Sequence, residues 1–96
     1  MVNVIVRHRV EDYPRWKKAF DDFEPERRSG GEKSYRLSSL QDEPNNICLF
    51  FEWDSIANAR TFMESPKLAE TMKQAGVSEE PQIYFTEELD RGTFQG

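Results

Sequence analysis

The chain has 96 residues, with 13 Lys or Arg against 18 Asp or Glu and a net charge of −5. That length allows one domain, because a second domain could not build a core from the residues left over. The acidic balance argues against a nucleic-acid partner, since binding phosphates requires clustered basic side chains. No apolar run approaches the ~20 residues of a membrane-spanning helix, so a membrane partner is not expected either.

The single cysteine and the N-terminus indicate a cytoplasmic location. Cys48 cannot form an internal disulfide, which is typical of a protein kept in a reducing compartment. The N-terminus lacks the basic start and the long apolar stretch of a secretory signal. Because Cys48 lies in the middle of an apolar segment, we expect a buried and unreactive thiol there.

The first third of the chain predicts a strand followed by an amphipathic helix. Valines alternate over residues 2–10 with His8 on their side, a pattern typical of a strand with one buried face. Asp12 can cap the following helix, and Pro14 fits its first turn. We expect this helix to end at residues 29–31, which contain two glycines. Aromatic residues at steps of three and four form a stripe along it: Tyr13, Trp16, Phe20 and Phe23.

The rest of the chain predicts a hairpin, a second helical region and a last strand. Residues 32–40 form a weaker strand, 41–46 a turn, and 47–53 a strand that is apolar on both faces. A helix capped by Asp54 or Ser55 restarts at Ser65–Pro66 and ends at Gly76. Residues 82–89 predict the last strand. We therefore place a single domain at residues 1–90 and a C-terminal tail at 91–96.

The order of these elements is βαββαβ, the ferredoxin-like α+β arrangement, whose four-stranded antiparallel sheet keeps the first and third strands in the centre. These two strands are the most apolar ones in the chain. Helices can cover only one face of such a sheet, and Ile5, Cys48 and Phe50 lie on or near the other face. We therefore expect a homodimer built sheet against sheet.

Two segments, RHRVEDYPRWKKAF at 7–20 and FFEWDSIANARTFMESPKLAETMKQAGV at 50–77, resemble the dimeric α+β barrel superfamily of the antibiotic-biosynthesis monooxygenases. The resemblance covers residues 2–89 and implies a small-molecule pocket between the sheet and the helices of each subunit. Cofactor-independent members oxygenate phenolic polycyclic substrates to quinones, and a polyketide-cyclase branch shares the architecture. One fold hosts many functions, so the resemblance is more specific for fold than for chemistry.

A haem-degrading branch of that superfamily uses an Asn on the first strand, and a Trp and a His in the second helical region. This chain has His8 at or beside the Asn position, Phe62 at the Trp position and Met72 at the His position. No other histidine is present to ligate iron, so we expect no haem. We expect no metal ion or other cofactor either, because the chain has one His, one Cys, scattered carboxylates and no glycine-rich phosphate loop.

His8 is the candidate catalytic residue. An imidazole with an ordinary pKa of ~6.5 can accept a proton at neutral pH. Deprotonation of a phenol or an activated C–H group gives an anion that can pass an electron to oxygen. The alternative is a partly buried histidine bonded to Asp12 or to a backbone carbonyl. A catalytic His8 should face an open cavity, whereas a structural His8 should be enclosed and fully bonded.

Aromatic and apolar side chains are expected to line a pocket suited to a flat ring. Each of them taken singly could also be ordinary core. The polar tips of Tyr35 and Trp53 could orient a ligand oxygen or simply pack. The expected pocket residues are Trp16, Phe20, Phe23, Tyr35, Trp53, Phe62 and Met72.

These residues favour a cofactor-independent monooxygenase-like protein that acts on a small aromatic, quinol or polyketide-type substrate. One alternative is a non-catalytic dimeric module that binds a hydrophobic small molecule or serves in stress response. The other is a polyketide-type cyclase, which would also need an acid–base residue but would not consume oxygen.

Overall fold

The computed structural model describes residues 2–95, and these residues adopt the α+β architecture expected from the sequence. Met1, the first residue of the expected domain, and Gly96, the last residue of the expected tail, lie outside the described residues. The elements are β1 (Val2–Arg9), α1 (Tyr13–Asp22), α2 (Glu24–Ser29), β2 (Glu32–Leu40), β3 (Glu43–Trp53), α3 (Ile56–Met63), α4 (Pro66–Gln74) and β4 (Gln82–Glu87).

The strands form one antiparallel sheet in the order β2-β3-β1-β4. The first and third strands are therefore central, as the sequence predicted. The apolar side chains of one parity face the helices, and they build the core together with Trp16 and Phe20 of α1. On the strands, the buried members are Val4, Val6, Ile47, Leu49, Phe51 and Trp53.

The first helical region differs from the prediction, because it consists of two helices rather than one. Phe23 separates them, with φ −88° and ψ 1°, and Pro25 stands in the first turn of α2. A proline has no N–H to donate to the carbonyl four residues earlier, and its ring crowds that carbonyl. The α-helical ladder is therefore interrupted at Phe23, and the chain starts a new helix.

Three strand boundaries also differ from the prediction. β1 ends at Arg9, one residue earlier than expected. β3 begins at Glu43, so the expected turn over residues 41–46 shrinks to Gln41 and Asp42. Asp42 has a φ of 67°, a left-handed conformation that Asp tolerates in tight turns. β4 ends at Glu87, two residues earlier than expected, and residues 88–95 form neither helix nor strand.

The second helical region begins and ends as predicted. The side chain of Ser55 accepts a hydrogen bond from the Asn58 N–H at 3.1 Å and so caps α3. Gly76 follows α4 with a φ of 88°, and the Val77 N–H donates to the Met72 carbonyl at 3.1 Å. That bond is typical of a helix end that requires glycine.

The second face of the sheet is more open to solvent than the face that carries the helices. The strand register aligns Arg36, Phe50, Ile5 and Tyr84 in one row across all four strands. Phe50 is 39% exposed and Tyr84 is 55% exposed. A single chain is described, so the expected homodimer stays a prediction.

Candidate functional site

A partly open cavity lies between the sheet and the helices. Its volume is about 70 Å³, measured as the space that the centre of a water molecule can reach. One water needs ~10–15 Å³ by this measure, so the cavity has room for about five waters. A space of that size suits a molecule with one ring better than a molecule with three fused rings. The walls come from β1, β3 and all four helices, and they are almost wholly apolar.

Most of the residues expected at the site lie on the wall of this cavity, namely His8, Trp16, Phe20, Phe23, Phe62 and Met72. Tyr35 and Trp53 do not line it. The Trp53 Nε1–H donates to the Gly30 carbonyl at 2.9 Å, so Trp53 ties β3 to the end of α2. Tyr35 is 37% exposed on the edge strand β2, edge-on to Phe20. Strand alternation places both residues on the helix side of the sheet but does not tell which of them reach the cavity.

The His8 side chain is buried on the cavity wall and makes no hydrogen bond with residues 2–95, so it is enclosed as expected of a structural histidine but not bonded like one. It is 3% exposed, and neither of its ring nitrogens has a hydrogen-bond partner in residues 2–95. It lies opposite Ile47 near the end of β1, and its ring packs edge-on against Trp16, with 5.5 Å between the ring centroids. The expected alternative, a bond to Asp12 or to a backbone carbonyl, does not occur. Since buried polar atoms nearly always have partners, this residue needs an explanation.

Burial lowers the pKa of His8 from 6.5 to about 4, and the positive charge of Arg7 adds to the effect. A buried imidazolium loses its hydration, so the neutral ring is favoured. Arg7 lies on the opposite face of β1, where its guanidinium bonds Asn46 and Gln82. At neutral pH, His8 therefore carries no charge and keeps a lone pair on one ring nitrogen.

Arg27 of α2 is a second polar residue on the cavity wall, and it is not among the residues expected there from the sequence. It is 3% exposed, and its Nη1 donates to both carboxylate oxygens of Glu32, at 3.2 and 3.4 Å. Its Nε and Nη2 atoms have no hydrogen-bond partner within the described part of the chain. The guanidinium carbon lies 3.6 Å from the centroid of the Phe20 ring.

The ion pair between Arg27 and Glu32 is buried, and burial disfavours the charged form of both side chains. Burial raises the pKa of Glu32 to about 7, although the nearby Arg27 opposes this rise. Burial also lowers the pKa of Arg27, and the charge of Glu32 opposes that change. In both residues the loss of hydration outweighs the mutual attraction, as is common for buried pairs.

A sequence signal for Arg27 was present. The stripe of α1 runs through Trp16, Phe20 and Phe23 at steps of four and three, and Arg27 is the next position at a step of four. Although Phe23 interrupts the helix, α2 keeps Arg27 on the buried side.

Helix α4 forms the least buried wall of the cavity. None of its residues is buried, and Leu68, Thr71 and Met72 reach the cavity only as half-buried side chains. Methionine is flexible and adapts its shape to a neighbour. This wall can therefore yield to an entering ligand at a lower cost than the sheet.

Over residues 2–95, no group of three or more His, Cys, Asp or Glu residues could hold a metal ion. In the same range, no helix is long and apolar enough to cross a membrane. The half-buried thiol of Cys48 is unpaired. None of these observations adds a residue to the cavity.

The chain matches no protein-family model and no curated protein, but its fold matches solved structures. One is a protein from Bordetella bronchiseptica provisionally named an antibiotic biosynthesis monooxygenase, with a TM-score of 0.74 and 17% identity over 92% of this chain and 96% of that one. A second antibiotic biosynthesis monooxygenase has a TM-score of 0.70 and 13% identity over 94% and 100%. SnoaB of Streptomyces nogalater, a cofactor-independent oxygenase, has a TM-score of 0.68 and 14% identity over 92% and 94%. The chain therefore has the antibiotic-biosynthesis-monooxygenase-like fold.

Proposed function

We propose that this protein is a cofactor-independent oxygenase that converts a small phenolic ring to a quinone in the cavity. The observation that carries the proposal is His8, a buried and neutral imidazole without hydrogen bonds on the wall of an apolar cavity. A histidine kept for structure would be bonded, whereas a general base must keep a nitrogen unbonded for the substrate. Neighbouring atoms cover both ring nitrogens of His8, so the substrate has to displace a side chain to reach one of them. The fold shared with SnoaB supports the reaction class.

The reaction balances without an external reductant. His8 accepts the phenolic proton, and the phenolate passes an electron to O2. The two radicals then combine at the ring carbon opposite the phenolic oxygen to form a peroxide. Cleavage of the O–O bond and loss of the hydrogen on that carbon leave a second carbonyl. One oxygen atom enters the quinone, and the other leaves as water with the two hydrogens that the ring has lost. The ring supplies all four electrons.

The low pKa of His8 limits this mechanism but does not prevent it. A phenol has a pKa of ~10, and a pKa difference of about six from His8 corresponds to ~8 kcal/mol. The imidazolium and the phenolate attract each other once formed, by ~4 kcal/mol at 4 Å for an effective dielectric constant of about 20. The remaining cost of ~4 kcal/mol lies well below the ~16 kcal/mol barrier of an enzyme that turns over about ten times per second.

Oxygen uptake with a panel of one-ring and three-ring phenols tests the proposal. With a chelator present, the wild type should consume one O2 per quinone formed and should prefer one-ring substrates. His8→Leu should lose this activity, whereas Lys18→Gln, an exposed change on α1, should retain it. Binding without oxygen uptake would instead identify a non-catalytic ligand-binding module. Ring closure of a polyketide-type substrate without oxygen uptake would identify a cyclase.

We also propose that a second copy of the chain covers the open face of the sheet. The central row of this face includes Phe50 and Tyr84, large aromatic side chains that are 39% and 55% exposed. A two-fold axis would pair this row with its own copy. Sedimentation at micromolar concentration should therefore give twice the chain mass of 11.3 kDa, and Phe50→Arg should shift the mass toward one chain. A wild-type mass near 11.3 kDa would contradict the dimer.

A further inference from the structure

We infer that Arg27 is an anion-binding residue of the cavity and that the ligand is an aromatic hydroxy acid, with a carboxylate held by Arg27. The inference deepens the proposed function, because it names the class of molecule that would occupy the same cavity. It rests on that proposal only for the phenolic ring. Binding of the carboxylate does not require His8 to perform chemistry.

The geometry of the guanidinium supports a carboxylate. Nη1 is occupied by Glu32, and the two donors without a partner among residues 2–95 are Nε and Nη2. These two atoms form one edge of the planar group, and their N–H bonds point in parallel. Such an edge matches the two oxygens of a carboxylate and forms two charge-assisted hydrogen bonds with it.

Aromatic rings lie against the guanidinium of Arg27, so a ligand can bind only at this edge. The guanidinium carbon is 3.6 Å from the centroid of Phe20 and 5.3 Å from the centroid of Tyr35. These rings cover the guanidinium, so further hydrogen bonds must lie in its plane. A surface arginine would bond water there, but this side chain is 3% exposed. Buried donors are rarely left without an acceptor.

A chain of contacts connects Arg27 to His8 along one wall of the cavity. The guanidinium lies over Phe20, Phe20 stacks on Trp16 at 5.2 Å between centroids, and Trp16 contacts His8 at 5.5 Å. A flat ring placed against these aromatic side chains would have a cationic donor beyond one of its edges and a neutral acceptor beyond another. A carboxylate and a hydroxyl on the same ring are complementary to that arrangement.

The charge of Glu32 does not prevent anion binding. The pKa of Glu32 is already raised to about 7 by burial, and a second anion beside Arg27 raises it further. Glu32 then takes up a proton, and Arg27 keeps its charge for the ligand. The other titratable groups around Arg27 are Asp21, Glu24 and Tyr35.

Both unoccupied donors of Arg27 are covered by neighbouring atoms, so a ligand must displace a side chain to reach them. The half-buried wall of α4, which includes Leu68 and Met72, is the part of the cavity that can yield. Because none of the residues of α4 is buried, this wall can open while the sheet stays in place. We therefore expect binding to be slower than diffusion alone would allow.

A pair of nearly isosteric probes tests the inference: 3-hydroxybenzoate, which is an anion, and 3-hydroxybenzamide, which is neutral. In both, the ring carbon opposite the hydroxyl carries the hydrogen that the proposed reaction removes. Titration calorimetry at pH 7 should show that the wild type binds the anion at least tenfold more tightly. The double variant Arg27→Met/Glu32→Leu, which leaves no charge of the pair behind, should bring the ratio of the two affinities to about one or below. Arg27→Lys should reduce the ratio, because an ammonium lacks the two-donor edge. Arg28→Gln, an exposed change on the same helix, should leave it unchanged.

The ratio separates recognition from a general loss of structure, because a loosened cavity would weaken both probes alike. Thermal melts of each variant confirm that it is folded. An affinity ratio near one in the wild type, a ratio that the double variant preserves, or the absence of binding by both probes would each overturn the inference. Preferential binding of the anion without oxygen uptake would support the role of Arg27 and refute the oxygenase. Oxygen uptake with neutral phenols alone would do the reverse.

Discussion

The unusual state of His8 makes a specific prediction for the pH dependence of stability. The folded protein holds the pKa of His8 at about 4, whereas the unfolded chain has the ordinary value of 6.5. Between these two values the unfolded state binds the proton and the folded state does not. The contribution of His8 to stability is therefore fully present above pH 6.5 and is lost as the pH falls toward 4. A change of one in pKa corresponds to 1.36 kcal/mol, so this loss amounts to ~3 kcal/mol.

Glu32 opposes this effect in the wild type. Its folded pKa of about 7 lies above the unfolded value of 4.5, so the folded state binds its proton first as the pH falls. Its contribution is fully present below pH 4.5 and is lost as the pH rises toward 7. Over the pH range in which both groups titrate, their contributions to stability offset each other. The stability of the wild type alone would therefore change little with pH there. Because His8→Leu retains Glu32, the difference in unfolding free energy between the wild type and this variant cancels the Glu32 contribution and leaves that of His8.

Urea unfolding followed by tryptophan fluorescence at pH 7.5, 6, 5 and 4 measures this difference. The protein concentration must stay fixed, because a dimer would make the stability depend on it. Relative to the wild type, the unfolding free energy of His8→Leu should rise by ~3 kcal/mol between pH 7.5 and pH 4. A difference that stays constant would mean that His8 titrates alike in both states. A lowered pKa of the buried His8 would then be refuted.

Four further predictions follow from the same contacts. At pH 7.5, His8→Leu should unfold at the same or a higher urea concentration than the wild type, since it removes two buried ring nitrogens that lack partners, whereas His8→Ala should unfold earlier because it opens the core. Arg27→Met should lose ~3–5 kcal/mol by stranding the buried Glu32, and adding Glu32→Leu should restore most of it; equal stability of the two variants would contradict the buried pair. Trp53→Phe should cost ~1–3 kcal/mol in urea unfolding, because the Gly30 carbonyl loses its donor, and an unchanged midpoint would refute that role. Calorimetry in two buffers of different ionisation enthalpy should show proton uptake when 3-hydroxybenzoate binds near pH 7, and zero uptake would contradict the protonation of Glu32.

The sheet could be predicted from the sequence because its signals are local and repeated. Alternation over residues 2–10 identifies the buried face of β1 and places His8 on it. Apolar residues of both parities over 47–53 identify a central strand. The burial of Val4, Val6 and His8 confirms the first expectation, and the strand order β2-β3-β1-β4 confirms the second. The break at Phe23 was missed because the aromatic stripe runs through it, although Pro25 is the residue that prevents one continuous helix.

The site was harder to predict, because it depends on how deeply each side chain is buried and on contacts between side chains of different elements. Strand parity gives Tyr35 and His8 the same side of the sheet, yet Tyr35 lies on the half-exposed edge strand and His8 on a central strand. Arg27 continues the apolar stripe, but a basic residue near a helix end is usually solvated. Its burial becomes visible only when α2 packs against β2 and brings Glu32 to its guanidinium. The lack of hydrogen-bond partners for the His8 ring likewise becomes known only when all of its neighbouring residues are in place.

The central claim is that the imidazole of His8 meets the ligand in the cavity. Since His8 is the only histidine in the chain, its ring gives a single set of NMR signals that can be titrated with and without 3-hydroxybenzoate. The account predicts a pKa of about 4 in the free protein, and a shift of the ring signals together with a higher pKa when the ligand is bound. An ordinary pKa near 6.5, unchanged by every hydroxyaromatic compound tested, would contradict the account.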